Sequence, residues 1–102
     1  MTDDRSKSTS SFGAALRTIR LEKDLSMHDV YKKATGRTYY SALEHGRKSP
    51  TLAKIDEIAE ALGIHPLALL LLTYTQSTDQ PMLYLIAQAK VELAELGLWT
   101  ES

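Results

Sequence analysis

The 102-residue sequence predicts an all-α fold, with five short helices forming one domain and an amphipathic helix added at the C-terminus. Two observations carry that expectation. Apolar residues recur every three or four positions between Phe12 and Leu72, and again between Met82 and Leu96. Between the periodic stretches stand residues that start or stop helices, including Ser26, Gly46, Thr51, Gly63, Pro66 and Gly97.

Taken in order, residues 1–11 are rich in Ser, Thr, Asp and Lys without periodicity, and are expected to form a disordered arm. Phe12, Ala15, Leu16 and Ile19 then place a first helix over residues 12–23, with Ser11 as N-cap and Asp24 at its end. Its Arg17, Arg20 and Lys23 suit a solvated face. Ser26 caps a second segment, and Asp29 at the third helical position completes a capping-box pattern. Met27, Val30, Tyr31 and Ala34 supply the apolar face of that segment. It stops at Thr35 and Gly36, where glycine is expected to adopt the left-handed conformation of a sharp helix–helix turn.

A third helix follows over residues 37–45. At about 100° per residue, Tyr40, Leu43 and Glu44 share one side. Thr38, Ala42 and His45 share the other, with Ser41 beside them. Gly46 ends this helix, and Arg47, Lys48, Ser49 and Pro50 form a basic loop. Thr51 caps a fourth helix running to Leu62, with Leu52, Ile55, Ile58, Ala59 and Leu62 expected inside and Gly63 as the stop. His65 and Pro66 open a short apolar fifth helix through Leu72. The five helices make a domain over residues 12–72, and residues 73–80 read as a polar connector.

Within residues 81–102, Pro81 opens a last helix whose stripe is Met82, Leu85, Ile86, Ala89, Leu93 and Leu96, with Gly97 as the stop and Trp99 just beyond. Two uses fit that stripe. It packs on its own domain, or it forms a dimer interface anchored by Trp99.

Hydrophobic residues at 43% and charged residues at 25% are those of an ordinary soluble globular protein. The absence of cysteine excludes disulfides and thiolate metal sites. The polar N-terminus does not resemble a signal peptide, and the apolar run at residues 66–72 is too short to span a bilayer, so a cytoplasmic location and no membrane partner are expected. The net charge of −1 hides an asymmetry. Residues 1–50 carry ten Lys/Arg against six Asp/Glu, a net +4, whereas residues 51–102 carry two against seven, a net −5. A polyanion would meet the first half and be repelled by the second.

Nothing in the pattern suggests catalysis. His28, His45 and His65 lie on separate elements without ligand spacing, so no metal or cofactor is expected. No phosphate loop, nucleophile elbow or paired-carboxylate arrangement occurs, and Ser41 near Glu44 and His45 is only helical adjacency.

The stretches LRTIR, LSMHDV, YYSALEHGRKSPT, KIDEIAEALGI and PLALL, in that order and spacing, resemble the phage-repressor/Cro-like (Xre-type) helix-turn-helix family over residues 12–72. The resemblance implies a lambda-repressor-like domain that binds double-stranded DNA, with its third helix in the major groove. It implies base-reading positions at Arg37, Thr38, Ser41 and Ala42: Arg37 on guanine, Ala42 on a thymine methyl. Phosphates would be met by the helix ends at Ser26 and Thr51, together with His28, His45, Arg47 and Lys48. It also pairs Arg20 with Glu44 as a structural link between the first and third helices. The chain departs from the family between Val30 and Glu44, where it is about one residue shorter, and at Met27, where the family usually has Gln.

The function expected is that of a dimeric, sequence-specific transcription regulator, most simply a repressor on a palindromic operator. The alternative is a protein-interaction module on the same fold, antitoxin-like or an adaptor, whose C-terminal helix binds another protein.

Overall fold

The computed structural model describes the backbone of residues 4–101 and the side chains of residues 9–101. Its helices run α1 Asp4–Glu22, α2 Met27–Ala34, α3 Arg37–Glu44, α4 Leu52–Leu62, α5 Pro66–Thr78 and α6 Met82–Glu95. The core gathers Phe12 and Leu16 of α1, Val30 of α2, Tyr40 and Leu43 of α3, Ile55, Ile58 and Leu62 of α4, and Leu69 of α5. Helix α1 lies against α5 and α3, and α2 lies against α4 and α3.

Local chemistry explains most helix ends. At Ser26 the hydroxyl accepts from the Asp29 N–H at 3.1 Å, while the Asp29 carboxylate accepts from the Ser26 N–H at 2.8 Å. Two of the four free N–H groups at that helix start are thereby satisfied. The Thr51 hydroxyl accepts from the Lys54 N–H at 3.1 Å. Asp24, just past α1, takes a left-handed φ of 58°. The Leu25 N–H then returns to the Arg20 carbonyl at 3.1 Å.

Several expectations are corrected. The arm expected at residues 1–11 is helical from Asp4, and residues 1–3 lie outside the described residues. Phe12 is buried, so the helix is anchored well inside the domain, and Thr9 Oγ1 lies 2.6 Å from Ser49 Oγ of the basic loop. Gly36 is not left-handed: Thr35 (φ −162°, ψ −179°) and Gly36 (φ −75°, ψ 154°) are both extended. The turn between α2 and α3 is therefore two extended residues, and a Cβ at Gly36 would meet nothing within 4 Å.

The expected connector at residues 73–80 is mostly helix, because α5 continues to Thr78. Thr73 and Ser77 lie on its buried side with Leu69. Their hydroxyls are satisfied within the helix, on the carbonyls of Leu69 (2.8 Å) and Tyr74 (3.3 Å). Leu52, expected inside, is 75% exposed. It is in phase with the buried stripe, but at the first position of α4 it lies beyond the edge of the core.

Helix α6 stands apart. None of its residues is buried, and only Leu85 is half-buried. The radius of gyration of 14.6 Å exceeds the roughly 13 Å of a compact chain this size, in keeping with a projecting helix.

Candidate nucleic-acid interface

Helix α3 presents a polar edge. Arg37, Thr38 and His45 are exposed and Ser41 is half-exposed, whereas Tyr40 and Leu43 are fully buried. Ala42, expected on the groove face, is 7% exposed and belongs to the buried side. It sits where the chain leaving α3 turns back, with the Arg47 N–H on the Ala42 carbonyl at 2.9 Å. Its methyl is therefore not available to a base edge.

The orientation of this edge is set from behind. Arg20 Nε donates to Glu44 Oε2 at 2.6 Å, Nη2 donates to Oε1 at 3.1 Å, and Nη1 donates to the Leu25 carbonyl at 2.8 Å. The hydrogen bonds to Glu44 hold the Arg20 pKa above the ordinary guanidinium value, against the opposing effect of burial. Gly13 lets α1 approach further: a Cβ there would collide with the carbonyl oxygens of Leu43 and Glu44, the latter at 2.6 Å. Tyr40 lies beside the pair, and burial pushes its phenol above the ordinary value.

The two expected phosphate seats differ electrically. At the Ser26 end of α2, the Asp29 carboxylate is held below its ordinary pKa, first by the Ser26 backbone N–H and then by the Ser26 hydroxyl. It is therefore charged at neutral pH and opposes an approaching phosphate. Exposed His28 stands edge-on to Tyr31, with centroids 5.2 Å apart.

The Thr51 end of α4 has no acid in its first turn. Lys48 and Lys54 both stand over the Tyr39 ring there, their Nζ atoms 5.8 and 5.9 Å from its centroid. Exposed Arg47 adjoins them. Lys54 Nζ also pairs with Glu57 Oε2 at 3.1 Å, and the Thr51 end lacks the capping carboxylate that stands at Ser26. Sequence reasoning missed Tyr39 and Lys54. The available signal was a lysine three residues after the helix cap.

His45 Nδ1 lies 2.8 Å from the Ser41 carbonyl, an acceptor only, so Nδ1 carries the proton. Arg17 shares with His45 and Met27 an open groove of about 760 Å³ between α1 and the end of α3. Among the described residues there is no cluster of metal-ligating side chains, and no helix is long and apolar enough to cross a membrane.

A family profile described as helix-turn-helix matches residues 16–69, just over half of the chain. The chain belongs to the helix-turn-helix family. It is 34% identical over 71 residues to the control protein C.BamHI of Bacillus amyloliquefaciens, covering 68% of this chain and 88% of the relative. It is 36% identical over 53 residues to the uncharacterised HTH-type transcriptional regulator y4dJ of Sinorhizobium fredii, covering 51% and 69%. A crystal structure of the clp gene regulator ClgR from Corynebacterium glutamicum superposes with a TM-score of 0.65 at 25% identity, covering 69% of this chain and 91% of that one.

In this helix-turn-helix protein, α2 and α3 lie within the matched residues and are joined by the two-residue turn at Thr35 and Gly36. The chain is a DNA-binding transcription regulator and not an enzyme. Its C-terminal helix leaves the stripe residues largely uncovered: Met82 is 41% exposed, Ile86 48%, Leu93 40% and Leu96 71%. Ala89 is exposed as well. Trp99 is held at the side of α6, its indole N–H on Glu101 at 3.1 Å and Lys90 Nζ 5.3 Å from its ring.

Proposed function

We propose that this helix-turn-helix protein is a cytoplasmic repressor that binds a palindromic operator as a homodimer through α3. The observation that carries the proposal is the exposed edge of α3, Arg37, Thr38, Ser41 and His45, backed by the Arg20–Glu44 pair and flanked by Arg47, Lys48 and Lys54. Arg37 reads guanine and Thr38 and Ser41 read neighbouring base edges, while the Thr51 end and its lysines hold phosphate. The names of its relatives, a control protein and transcription regulators, support a role in gene control.

Dimerisation follows from reach. An eight-residue reading helix touches few base pairs, and two copies about 34 Å apart double the sequence read. The uncovered stripe from Met82 to Leu96, with Trp99 at its edge, supplies the contact surface.

Selection of bound fragments from random DNA, followed by binding measured across a salt series, tests the proposal. Enrichment of an inverted repeat, with affinity falling steeply as salt rises, is the expected result. Failure to enrich any site, or affinity indifferent to salt, sinks it.

A second reading, an antitoxin-like or adaptor module, is favoured by the net −5 charge of residues 51–102 and the uncovered α6. In that case substitutions on α6 abolish capture of a protein partner while substitutions on α3 change nothing.

A further inference from the structure

Helix α6 carries a second apolar strip that a simple pairing of two α6 helices leaves bare. At about 100° per residue, Leu83, Tyr84, Ala87, Val91 and Ala94 fall opposite the Met82–Leu96 stripe. Lys90 separates the strips on one side, and Gln88, Glu92 and Glu95 separate them on the other. The second strip is open: Leu83 is 78% exposed, Tyr84 53% and Val91 54%, and a shallow groove of about 420 Å³ runs along Tyr84, Ala87 and Val91. A helix apolar on two sides needs covering on two sides.

Helix α5 has a matching strip. Leu67 (66% exposed), half-buried Leu71 and Tyr74 (50% exposed) recur at i, i+4 and i+7, away from the core-facing Leu69, Thr73 and Ser77. The same chain's α6 does not cover it, since α6 leaves α5 after the half-buried Leu85.

We infer that a second copy of this chain covers all of these surfaces at once, with α6 lying between the partner's α6 and the partner's α5. The inference rests on the homodimer proposed above and specifies which surfaces build it. Area decides against the simpler pairing. The 14 residues of α6 extend about 21 Å, and a contact about 10 Å wide covers roughly 210 Å² in projection. Twice that, to allow for side-chain relief, is about half of the roughly 800 Å² per partner in a stable specific interface. Adding the second strip and the α5 strip, each used twice about the two-fold axis, closes that deficit and leaves no apolar strip at an open end.

The absence of cysteine in the chain makes the test direct. Val91→Asp, Tyr74→Asp and Ile86→Asp alter three exposed side chains, so each variant is expected to keep the wild-type helical signal. Light scattering after gel filtration is expected to show a wild-type dimer, and each variant should weaken dimerisation at least about 100-fold. A mixture of Val91→Cys chains with Tyr74→Cys chains, treated with a short bis-maleimide, should yield the mixed cross-linked dimer.

A wild-type monomer overturns both the homodimer and this arrangement. A wild-type dimer that Ile86→Asp breaks but Val91→Asp and Tyr74→Asp leave intact, with no mixed cross-link, overturns only this arrangement and leaves the second strip to another protein.

Discussion

Arg20 on α1 and Glu44 at the last position of α3 meet through two parallel hydrogen bonds of 2.6 and 3.1 Å, with both side chains at least nine-tenths buried. They stand 24 positions apart in the sequence, and the interval that ends on Glu44 spans the whole helix-turn-helix. The pair therefore fixes where α3 sits relative to α1. Glu44→Ala leaves the guanidinium buried beside an empty space and is expected to cost about 3–5 kcal/mol by chemical denaturation. The apolar double variant Arg20→Met/Glu44→Leu should recover much of that loss, because a buried pair contributes orientation more than stability. A double variant as unstable as the single one would contradict this view.

The Tyr40 hydroxyl is buried and finds no hydrogen-bond partner among the described residues. Tyr40→Phe removes an unsatisfied polar group and keeps the ring in the core. It should leave stability unchanged or raise it by about 1 kcal/mol. A loss larger than about 1 kcal/mol would show that the hydroxyl is bonded to the neighbouring Arg20–Glu44 pair.

Gly36 is extended, and a Cβ built there meets nothing within 4 Å. No side chain caps α3 among the described residues. Gly36→Ser should therefore stabilise the fold by about 0.5–1 kcal/mol, by adding a cap and narrowing the unfolded ensemble. A left-handed Gly36 would give the opposite sign, so the melting temperature decides between the two geometries.

That contrast shows what can be read from sequence and what cannot. Ser26, Asp29, Thr51 and Gly63 were legible because cap chemistry acts over three or four residues. Gly36 was misread because glycine permits a left-handed turn without requiring one. Thr73 and Ser77 looked like a linker because their polarity hides the bonds that their hydroxyls make inside α5. Ala42 lies at the margin of the α3 wheel, where the path of the following loop decides burial. Gly13 and Tyr39 act through neighbours distant in sequence, which no local pattern discloses. The order of the five helices was legible from periodicity, but the exposure of both α6 strips emerged only with the fold.

The capping box at the start of α2 should respond to acid. Asp29 is held below its ordinary value of 3.8 in the folded state, by hydrogen bonds that only the carboxylate accepts well. Its contribution is complete above the unfolded value, near pH 4, and is lost as pH falls through the lower folded value. Denaturation midpoints of the wild type should therefore fall over that acidic window more than those of Asp29→Asn. Parallel curves for the two proteins would remove Asp29 from the account.

Division of labour across the interface provides the test closest to function. Arg37 stands in the first turn of α3, exposed, with no acidic side chain in that turn to occupy its guanidinium. Its planar fork matches the two acceptors of guanine, and losing that match costs discrimination at one base pair. Arg37→Ala should therefore narrow the gap between the selected operator and a variant changed at one position by about 1–3 kcal/mol, while binding to unrelated DNA falls less. Lys48 and Lys54 stand over Tyr39 beside the α4 N-terminus, and a phosphate there is the same whatever the base. Lys48→Ala or Lys54→Ala should weaken all sequences alike, and each should make the slope of log K against log salt shallower by about one. Binding isotherms on both DNAs at several salt concentrations separate the two roles. Equal loss of discrimination from Arg37→Ala and Lys48→Ala would refute the division, and a salt slope unchanged by Lys54→Ala would remove the lysine pair from the phosphate seat.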